Sequence, residues 1–515
     1  MKNVLSASNM KLLEQNTIEY LGIDAAVLME RAAYCVAEYI INNFPSDSSV
    51  LILSGTGNNG ADGLCVSRIL SERGYSSDIY ILKGHKSTAL FEKQKAVLDK
   101  LSASFVEDVK PCYDIYVDAL TGIGYSYRKD DEFFDLIEKI NSYNGFKISL
   151  DIPSGTDATT GEVNETAFCA DVVFSFGAYK SGLFKGKAVD YYKKLYLVPA
   201  GIFDFDNIYD YKIPESKDIL KILPKRAASS NKGTYGKVLI VAGSNKSCGC
   251  AILSAVAAFK AGAGMVKIVS HAGNKEAVYS ACPDVMASFY DDGCNDLFFK
   301  EFTDDMSWAD CVVIGPGIGI NDFSKTLLDM VLENKSNVLF DADAINCLAE
   351  DEALLKKFLK KASDEKPVYV ITPHKAESKR LLDSMEKLDS KIKCLDDLAS
   401  IYGVICVDKD SRTRTLGNAV KYINPSGNDG LSVAGSGDVL SGILGAYFAF
   451  AVKNNLLNGI TEMVAAGVYV HGFCADHISK SVDKSSIMAS DLSSNIPMIY
   501  KELLKDGEDL YLSYY

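Results

Sequence analysis

Short apolar runs recur along this chain, each stopping at glycine, proline or an acidic residue. In the first half they are VLIL (50–53), IYIL (79–82), IYVDAL (115–120), FKISLDI (146–152) and DVVFSF (171–176). Between them the apolar positions switch to helical spacing. Residues 9–20 and 24–43 predict two helices, the second carrying Ala25, Leu28, Met29, Ala32, Ala33, Val36 and Ile40 at that spacing. A third is predicted from about Ala61 to Arg73, behind the loop GTGNNGADG. Alternating strands and helices predict an α/β fold, a mostly parallel sheet with helices on both faces. The segment 200–234, with Pro214, Pro224 and the polar run AASSNKG, reads as a join. It divides the chain into domains expected at 1–212 and 213–515.

The second half repeats the style without repeating the sequence. Strands are predicted at KVLIVAG (237–243), MVKIVS (265–270), CVVIGPG (311–317), VLFDADA (338–344), VYVITPH (368–374) and VICVD (404–408). Helices lie between them, for example at 252–261 and 324–333. Ligands of open α/β sheets bind beyond the carboxyl ends of the strands. Gly315, Gly317, Asp341, Asp343, His374 and Lys409 are therefore expected in one crevice with Asp438.

Asp438 belongs to NPSGNDGLSVAGSGDVLSGIL (424–444), the stretch around which the second half is arranged. Gly427, Gly430, Gly435, Gly437 and Gly442 let backbone N–H groups approach a ligand, and the pattern turns helical after Gly437. A glycine turn feeding a helix N-terminus is an anion site. A carboxylate beside a bound phosphate can take a proton from a reacting hydroxyl. Capping alone would explain Asp438 but not the glycines in front of it.

In the first half, Gly55, Gly57 and Gly60 spell the dinucleotide fingerprint between strand and helix. The acidic residue that should end the next strand is missing, since Asp78 is expected to precede that strand. Asn58, Asn59 and Asp62 crowd the same loop and point to a different ligand or cation site. Asp118 and Asp151 close neighbouring strands. Asp118, Asn59 and Ser154 offer only oxygen, as a hard cation requires. Asp151 is then a candidate acid or base. His471, Cys474 and His477 have metal-ligand types but continue an apolar helix without a fourth ligand, and read as core.

Composition narrows the partners. At 515 residues, two or three domains are expected, and 48% hydrophobic with 24% charged residues is a globular balance. Net charge is −14 with no long basic run, which argues against nucleic acid or anionic membrane as partners. The first fifteen residues lack the apolar core of a secretory leader, and no apolar run approaches the roughly 18 residues of a bilayer span. Thirteen cysteines without framework spacing read as reduced thiols of a cytoplasmic protein. Cys248 and Cys250 read as small residues at a helix start.

Taken in order, these motifs resemble the bifunctional NAD(P)H-hydrate repair enzymes, an epimerase domain fused to a dehydratase domain. The likeness runs from about residue 5 to about 505. It rests on GTGNNGADGL (55–64), VDALTGIG (117–124), LDIPSGTDATTG (150–161), FSFGAYKSGL (174–183), KGTYGKVLIVAGS (232–244), AGAGMV (261–266), IGPGIG (314–319), FDADAIN (340–346), ITPH (371–374) and GSGDVLSGI (435–443). It implies a Rossmann-like three-layer α/β/α domain followed by a ribokinase-like α/β domain. Asn58, Asn59, Gly60, Ala61, Asp62, Gly122, Ile123, Gly124 and Asp151 match hydrate-binding positions, and Asn59, Asp118 and Ser154 match potassium ligands. Asp438 matches the catalytic carboxylate, with Ala263, Gly317 and His374 on the hydrate side. Lys409, Asp410, Ser411, Asn428, Gly435, Ser436 and Gly437 match the adenine-nucleotide side. Three departures stand out: Ala61 replaces a usual glycine, Lys375 and Ala376 follow His374 in place of proline and glycine, and Asp410 and Ser411 follow Lys409 in place of glycine and alanine. Asp410 brings an extra carboxylate near the expected phosphates.

The implied chemistry is metabolite repair. NADH and NADPH add water at the nicotinamide ring, giving two epimers of a dead hydrate. The resemblance implies that the first domain interconverts them, and that the second dehydrates the S form with ADP or ATP as co-substrate. Potassium is the implied ion of the first domain, and Mg2+ a candidate companion of the phosphates. The expected partners are small molecules, NADH hydrate and NADPH hydrate, and the expected assembly is a homo-oligomer. The competing reading is a ribokinase-like small-molecule kinase fused to a non-catalytic ligand-binding domain.

Overall fold

The computed structural model describes residues 1–82, 86–204, 207–291, 296–364, 367–505 and 513–514. The end of the 213–515 span, at 506–512 and 515, lies outside the described residues. The chain forms two compact units, one built on Met1–Lys212 and one on residues 213–508.

The first unit opens with β1 (Lys2–Leu5), α1 (Ala7–Leu21) and α2 (Ala25–Asn43). Ser6 and Asp24 cap the two helices with their side-chain oxygens, and Gly22 ends α1 in the left-handed conformation at φ 69°. There follow β2 (Val50–Ser54), α3 (Asn58–Glu72), β3 (Ser77–Ile81), α4 (Ala89–Lys100), β4 (Ser104–Val106), β5 (Ile115–Ala119), α5 (Asp131–Asn141), β6 (Phe146–Leu150), β7 (Ala170–Phe176), β8 (Tyr179–Lys180) and β9 (Tyr192–Val198). The main sheet runs β9-β7-β6-β5-β2-β3-β4, all parallel, with the backbone of Ser513–Tyr514 beside β9. β2 and β5 are buried at every position, which is why their sequences are continuous apolar runs rather than alternating ones. Ala33, Val36 and Ile40 of α2 pack on Ile52, Val117, Ile148 and Val172 of the sheet.

The strand order reverses between β2 and β5, so the crevice opens beyond their carboxyl ends. The chain leaves that point through a constriction: a Cβ on Gly55 would stand 2.1 Å from the Leu120 carbonyl oxygen, and one on Gly60 1.9 Å from that of Gly55. Only glycine fits either place. Because Gly60 packs against Gly55, the helix starts at Asn58, three residues before its expected start at Ala61. Asp78 lies inside β3, not before it, and accepts from Tyr113 Oη at 2.7 Å.

The expected join, 200–234, carries structure of its own: a short strand β10 (Tyr211–Ile213), a helix over Ser216–Ile222 and a turn of 3-10 helix at Lys232–Tyr235. The second unit then lays down β11 (Lys237–Val241), β12 (Met265–His271), β13 (Met286–Tyr290), β14 (Cys311–Ile314), β15 (Asn337–Phe340), β16 (Val368–Ile371), β17 (Ile405–Asp408), β18 (Arg414–Leu416) and β19 (Lys421–Ile423). Their order is β13-β12-β11-β14-β15-β16-β17-β18-β19, parallel up to β17, with β18 and β19 added antiparallel. The helices Gly249–Lys260 and Ser436–Lys453 cross at Gly442, where a Cβ would stand 2.2 Å from the Ser254 carbonyl oxygen. That contact holds the start of the second helix against the sheet's carboxyl edge. Both units are thus α/β, with helices on a largely parallel sheet.

Candidate active sites

Beyond β2 and β5 lies a cavity of about 960 Å³. Asn58, Asn59 and Asp62 of the first turns of α3 line it, with Gly122, Ile123 and Gly124 of the loop after β5 and Asp151 after β6. Gly60 and Ala61 are buried beneath. Asp151 sits at φ 69°, outside the usual range for a residue with a side chain. The Lys180 ammonium holds its carboxylate, and the Phe176 N–H donates to the same oxygen at 3.1 Å. Lys180 is 1% exposed and also donates to the Phe176 carbonyl at 2.5 Å. Its place follows from β8, which pairs with β1 and sets Lys180 opposite Leu5.

Two more carboxyls face this ion pair. Asp62 is pushed well above the ordinary carboxylate range by burial, with the charges of Asp151 and Glu14 adding and Lys180 opposing. Glu14 of α1 is raised by burial and Asp151, again against Lys180. Thr121 Oγ1 and Tyr125 Oη are buried in the same wall without a hydrogen-bond partner among the described residues.

Behind the cavity, Asp118 is wholly buried. It accepts from Ser154 N–H and Ser149 Oγ, both at 2.9 Å, from Ser154 Oγ at 2.5 Å, and from Leu120 N–H at 3.2 Å. Burial raises it to about 6 despite those donors. Among the described residues, no ammonium or guanidinium group hydrogen-bonds it. The Asn59 amide donates to the Thr121 carbonyl at 2.8 Å and to that of Leu150 at 3.3 Å, so two backbone oxygens converge beside Asn59. An oxygen-only set around a buried, uncompensated carboxylate fits a hard cation.

The second crevice gathers at the carboxyl ends of β15, β16 and β17. Asp341 is 1% exposed and accepts from Thr372 Oγ1 at 2.6 Å, Ser441 Oγ at 2.6 Å and Lys409 Nζ at 2.9 Å. Burial would raise its carboxyl, but Lys409 and the hydroxyls outweigh that and lower it. Asp438 occupies the first turn of the helix Ser436–Lys453, behind Gly435 at φ 90°. Burial and then the Asp341 charge raise Asp438 to about 7, with Lys409 opposing. The Lys409 ammonium lies 3.6 Å from where a Gly437 Cβ would be, so a cation and the first N–H groups of the helix share one spot. Asp343 opens the helix Asp343–Glu350 and accepts from the Gly319 N–H at 2.9 Å.

Gly317 reaches this crevice at φ 63°, where a Cβ would stand 2.5 Å from Cys250 Sγ. His374 caps its own helix, accepting at Nδ1 from Ala376 and Glu377 N–H, and bridges to Lys409. Asp410 and Lys375, two of the unusual residues after Lys409 and His374, pair with each other at 2.9 Å, while Ser411 lies exposed and donates to Asp410. Asn428 spends both ends internally, on Asp476 and on the Gly430 N–H. Ser436 is buried against His471, whose Nε2–H donates to the Ser436 carbonyl at 3.0 Å. Burial lowers His471 to about 4, so it serves neutral, under the turn.

Ala263 does not join them. It follows the helix Gly249–Lys260 and precedes β12, at the amino edge of the sheet. There Gly264 packs on Gly236, and Gly236 packs on Ala449 near the far end of the Asp438 helix. From residue 438 to 449 that helix rises roughly 16 Å. The residue that the helix Gly249–Lys260 does bring to the crevice is Cys250, from its first turn, within the field of Asp438. The sequence reading also passed over Lys180, which lies inside a quoted motif, and Glu14, which lies in none.

A family profile described as NAD(P)H-hydrate dehydratase matches residues 238–498, and one described as YjeF-related protein N-terminus matches 25–182. A bifunctional NAD(P)H-hydrate repair enzyme of Coxiella burnetii is 30% identical over 500 residues, covering 95% of this chain and 97% of that protein. Its counterpart in Escherichia coli is 29% identical over 512 residues, covering 97% and 94%. Among solved structures, an ADP/ATP-dependent NAD(P)H-hydrate dehydratase of Bacillus subtilis aligns over 57% of this chain and all of its own, at 23% identity and a TM-score of 0.47.

The position of Asp438 has a thermodynamic consequence. A carboxyl raised from 3.8 to about 7 costs the folded state free energy once it ionises. That cost is absent below pH 4, grows through pH 7 and is constant above. Three units would be about 4 kcal/mol, and partial exposure reduces this to about 2 kcal/mol. Asp438→Asn is therefore expected to be more stable than the parent by about that amount at pH 8 and equal to it at pH 4. Denaturant unfolding at the two pH values measures the difference, and an equal gap at both would contradict the burial argument.

Proposed function

The chain belongs to the bifunctional NAD(P)H-hydrate repair enzymes, and we propose that its two crevices divide the repair of one substrate between them. The first epimerises R- and S-NAD(P)H hydrate, and the second dehydrates the S form. One observation carries the reading: each unit has its own strand-tip crevice with its own lysine–aspartate pair, Lys180 with Asp151 and Lys409 with Asp341. A kinase joined to an inert binding domain has no use for the first. Coverage of the full-length relatives across both halves favours the repair reading too.

In the second crevice the hydrate's hydroxyl is a poor leaving group. The terminal phosphoryl group of ADP or ATP, held at the helix N-terminus by Gly435, Ser436, Gly437 and Lys409, converts it to a phosphate ester. Asp438 takes the hydroxyl proton, and a carboxylate near 7 is suited to that exchange at neutral pH. The ring nitrogen's lone pair then expels the phosphate, and loss of a ring proton restores the cofactor. Lys409, fixed by Asp341, orients the phosphates, with Mg2+ as their companion ion. Gly317, Cys250 and His374 border the hydrate.

In the first crevice the ring passes through an iminium-like state, and Asp151 exchanges protons with the hydroxyl or water. Asn58, Asn59, Asp62 and Gly122 to Gly124 border the hydrate. Potassium fits at Asn59, Asp118 and Ser154, with the carbonyls of Thr121 and Leu150. When bound it supplies the positive charge that Asp118 lacks and fixes the loop after β5.

The division of labour is tested on an equal mixture of hydrate epimers with ADP, then ATP, following the absorbance of restored cofactor. Asp438→Asn is expected to abolish recovery from both epimers; turnover of the S form within a few-fold of the parent would remove Asp438 as the base. Asp151→Asn is expected to recover about half of the mixture fast and stall, and a single fast phase would sink the epimerase reading.

Exchange of potassium for choline is expected to slow R-hydrate recovery and leave S-hydrate dehydration unchanged. Equal rates in the two salts would exclude the ion.

Lys375 offsets the extra charge of Asp410 beside the phosphates. Lys375→Ala is expected to raise KM for the nucleotide several-fold at unchanged kcat, and adding Asp410→Gly to restore it. A KM indifferent to both changes would place the pair outside the nucleotide's field.

A further inference from the structure

Helix α1 lies ahead of the matched segment 25–182, and no motif marks it. Its Met10, Lys11 and Glu14 nevertheless form part of the first cavity's wall. The helix is fixed at both ends. The Asp210 carboxylate accepts from Ser6 N–H at 2.5 Å and from the Asn9 amide at 3.0 Å. Thr17 Oγ1 donates to the Leu13 carbonyl and accepts from Phe203 N–H at 3.1 Å. Met10 and Leu13 pack with Leu5 and Ala178. Glu14 is therefore held in place, with its carboxyl toward the pocket that contains Asp62, Asp151 and Lys180.

The four groups differ in what they have left to offer. Lys180 is committed to Asp151 and to the Phe176 carbonyl. Asp151 is committed to Lys180 and Phe176 N–H. Neither Glu14 nor Asp62 has a hydrogen-bond partner among the described residues. Of the two, Glu14 comes from a different wall than the loop and strand tips that carry the other site residues. Epimerisation needs this, because the hydroxyl leaves one face of the ring and water adds to the other.

We propose that Glu14 is a further catalytic residue of the first crevice, the carboxylic acid that protonates the departing hydroxyl of the hydrate. The inference rests on the epimerase reading, with Asp151 as proton acceptor. The C–O bond breaks and its electron pair leaves with oxygen, which takes the Glu14 proton and departs as water. The ring-nitrogen lone pair closes a C=N+ bond. Water then adds to the opposite face and gives its proton to Asp151. The proton returns to Glu14 through solvent in the cavity, so one water leaves, one enters and no net proton is consumed.

Burial and the Asp151 charge favour the protonated form of Glu14 that this role requires, while Lys180 opposes it. Asp62 on α3 and Lys11 on α1 share its field. Arg128, Lys129, Asp130 and Asp131 line the cavity from the segment after β5, and Lys86 lines it ahead of α4. Because the active form is the acid, recovery from the R epimer is expected to fall as pH rises through the Glu14 titration.

The test uses the full chain with purified R hydrate and ADP, and S hydrate as control. Glu14→Gln orphans no partner and is expected to unfold no earlier than the parent and to keep its S-hydrate rate. Its kcat for R hydrate is expected to fall on the order of 100-fold or more, with the alkaline decline of the pH profile gone. Glu14→Asp is expected to keep that decline at reduced rate. A Glu14→Gln protein that clears R hydrate at the parent rate, or that changes only KM, or that keeps the parent's alkaline decline, overturns the assignment. Asp151→Asn run alongside separates the two readings: if it stalls while Glu14→Gln does not, only the role of Glu14 falls, and if neither stalls, the epimerase reading falls with it.

Discussion

A single ammonium set against more than one buried carboxylate is the constraint on which both crevices depend. In the second unit Lys409 pairs with Asp341, which two hydroxyls also serve. Among the described residues no donor hydrogen-bonds the Asp438 carboxyl, so burial and its neighbour's charge drive it to about 7 against the pull of Lys409. In the first unit Lys180 pairs with Asp151, and Glu14 and Asp62 are driven up in the same way. A charge taken from water must be matched or neutralised. Where one lysine matches one aspartate, the remaining carboxyl is pushed toward its protonated form. Two unrelated strand orders thus reach one electrostatic arrangement.

The scaffold makes that arrangement rigid. Parallel strands buried on both faces end together at one edge, and the side chains at their tips have little room to turn aside. Gly55 and Gly60 permit the exits of β2 and β5 to touch, and Gly442 permits two helices to cross, which fixes where Asn59 and Asp438 lie. The positive φ of Asp151 belongs to the same account. Strain at one residue is tolerable where an ion pair and a backbone donor hold its carboxylate.

How far the sequence disclosed this depended on how local each feature was. The central strands were legible because a doubly buried strand is a run of apolar residues, as in β2, β5, β11 and β14. Strands β1, β8, β18 and β19 were not, being too short for any periodicity, and β1 and β8 also depend on each other across some 175 residues. Asn59, Asp118, Asp341, Lys409 and Asp438 could be read as strand-tip or helix-start residues. Lys180 required knowing that β8 lies against β1, and Glu14 that α1 folds over the cavity. Ala263, on the hydrate side by resemblance, follows the far end of the helix Gly249–Lys260, and the end facing the crevice carries Cys250. His471 read correctly as core, yet its neutral ring supports Ser436 beneath the anion turn, a contact across 35 residues.

The pair Lys375–Asp410 shows what a departure from a family pattern means physically. Taken singly, Asp410 sets an extra carboxylate next to Lys409 and Lys375 lengthens the turn's side chain after His374. The structure brings them together because Lys409 N–H donates to the Pro373 carbonyl at 3.0 Å, which sets the two turns side by side. At 2.9 Å their charges cancel, so the local field at the helix N-terminus stays that of Lys409 and the backbone N–H groups. Such a solvent-facing pair adds little stability, about 0–1 kcal/mol. Its effect falls instead on the charge presented at this edge, since either residue alone would leave a charge unmatched that the two together pair.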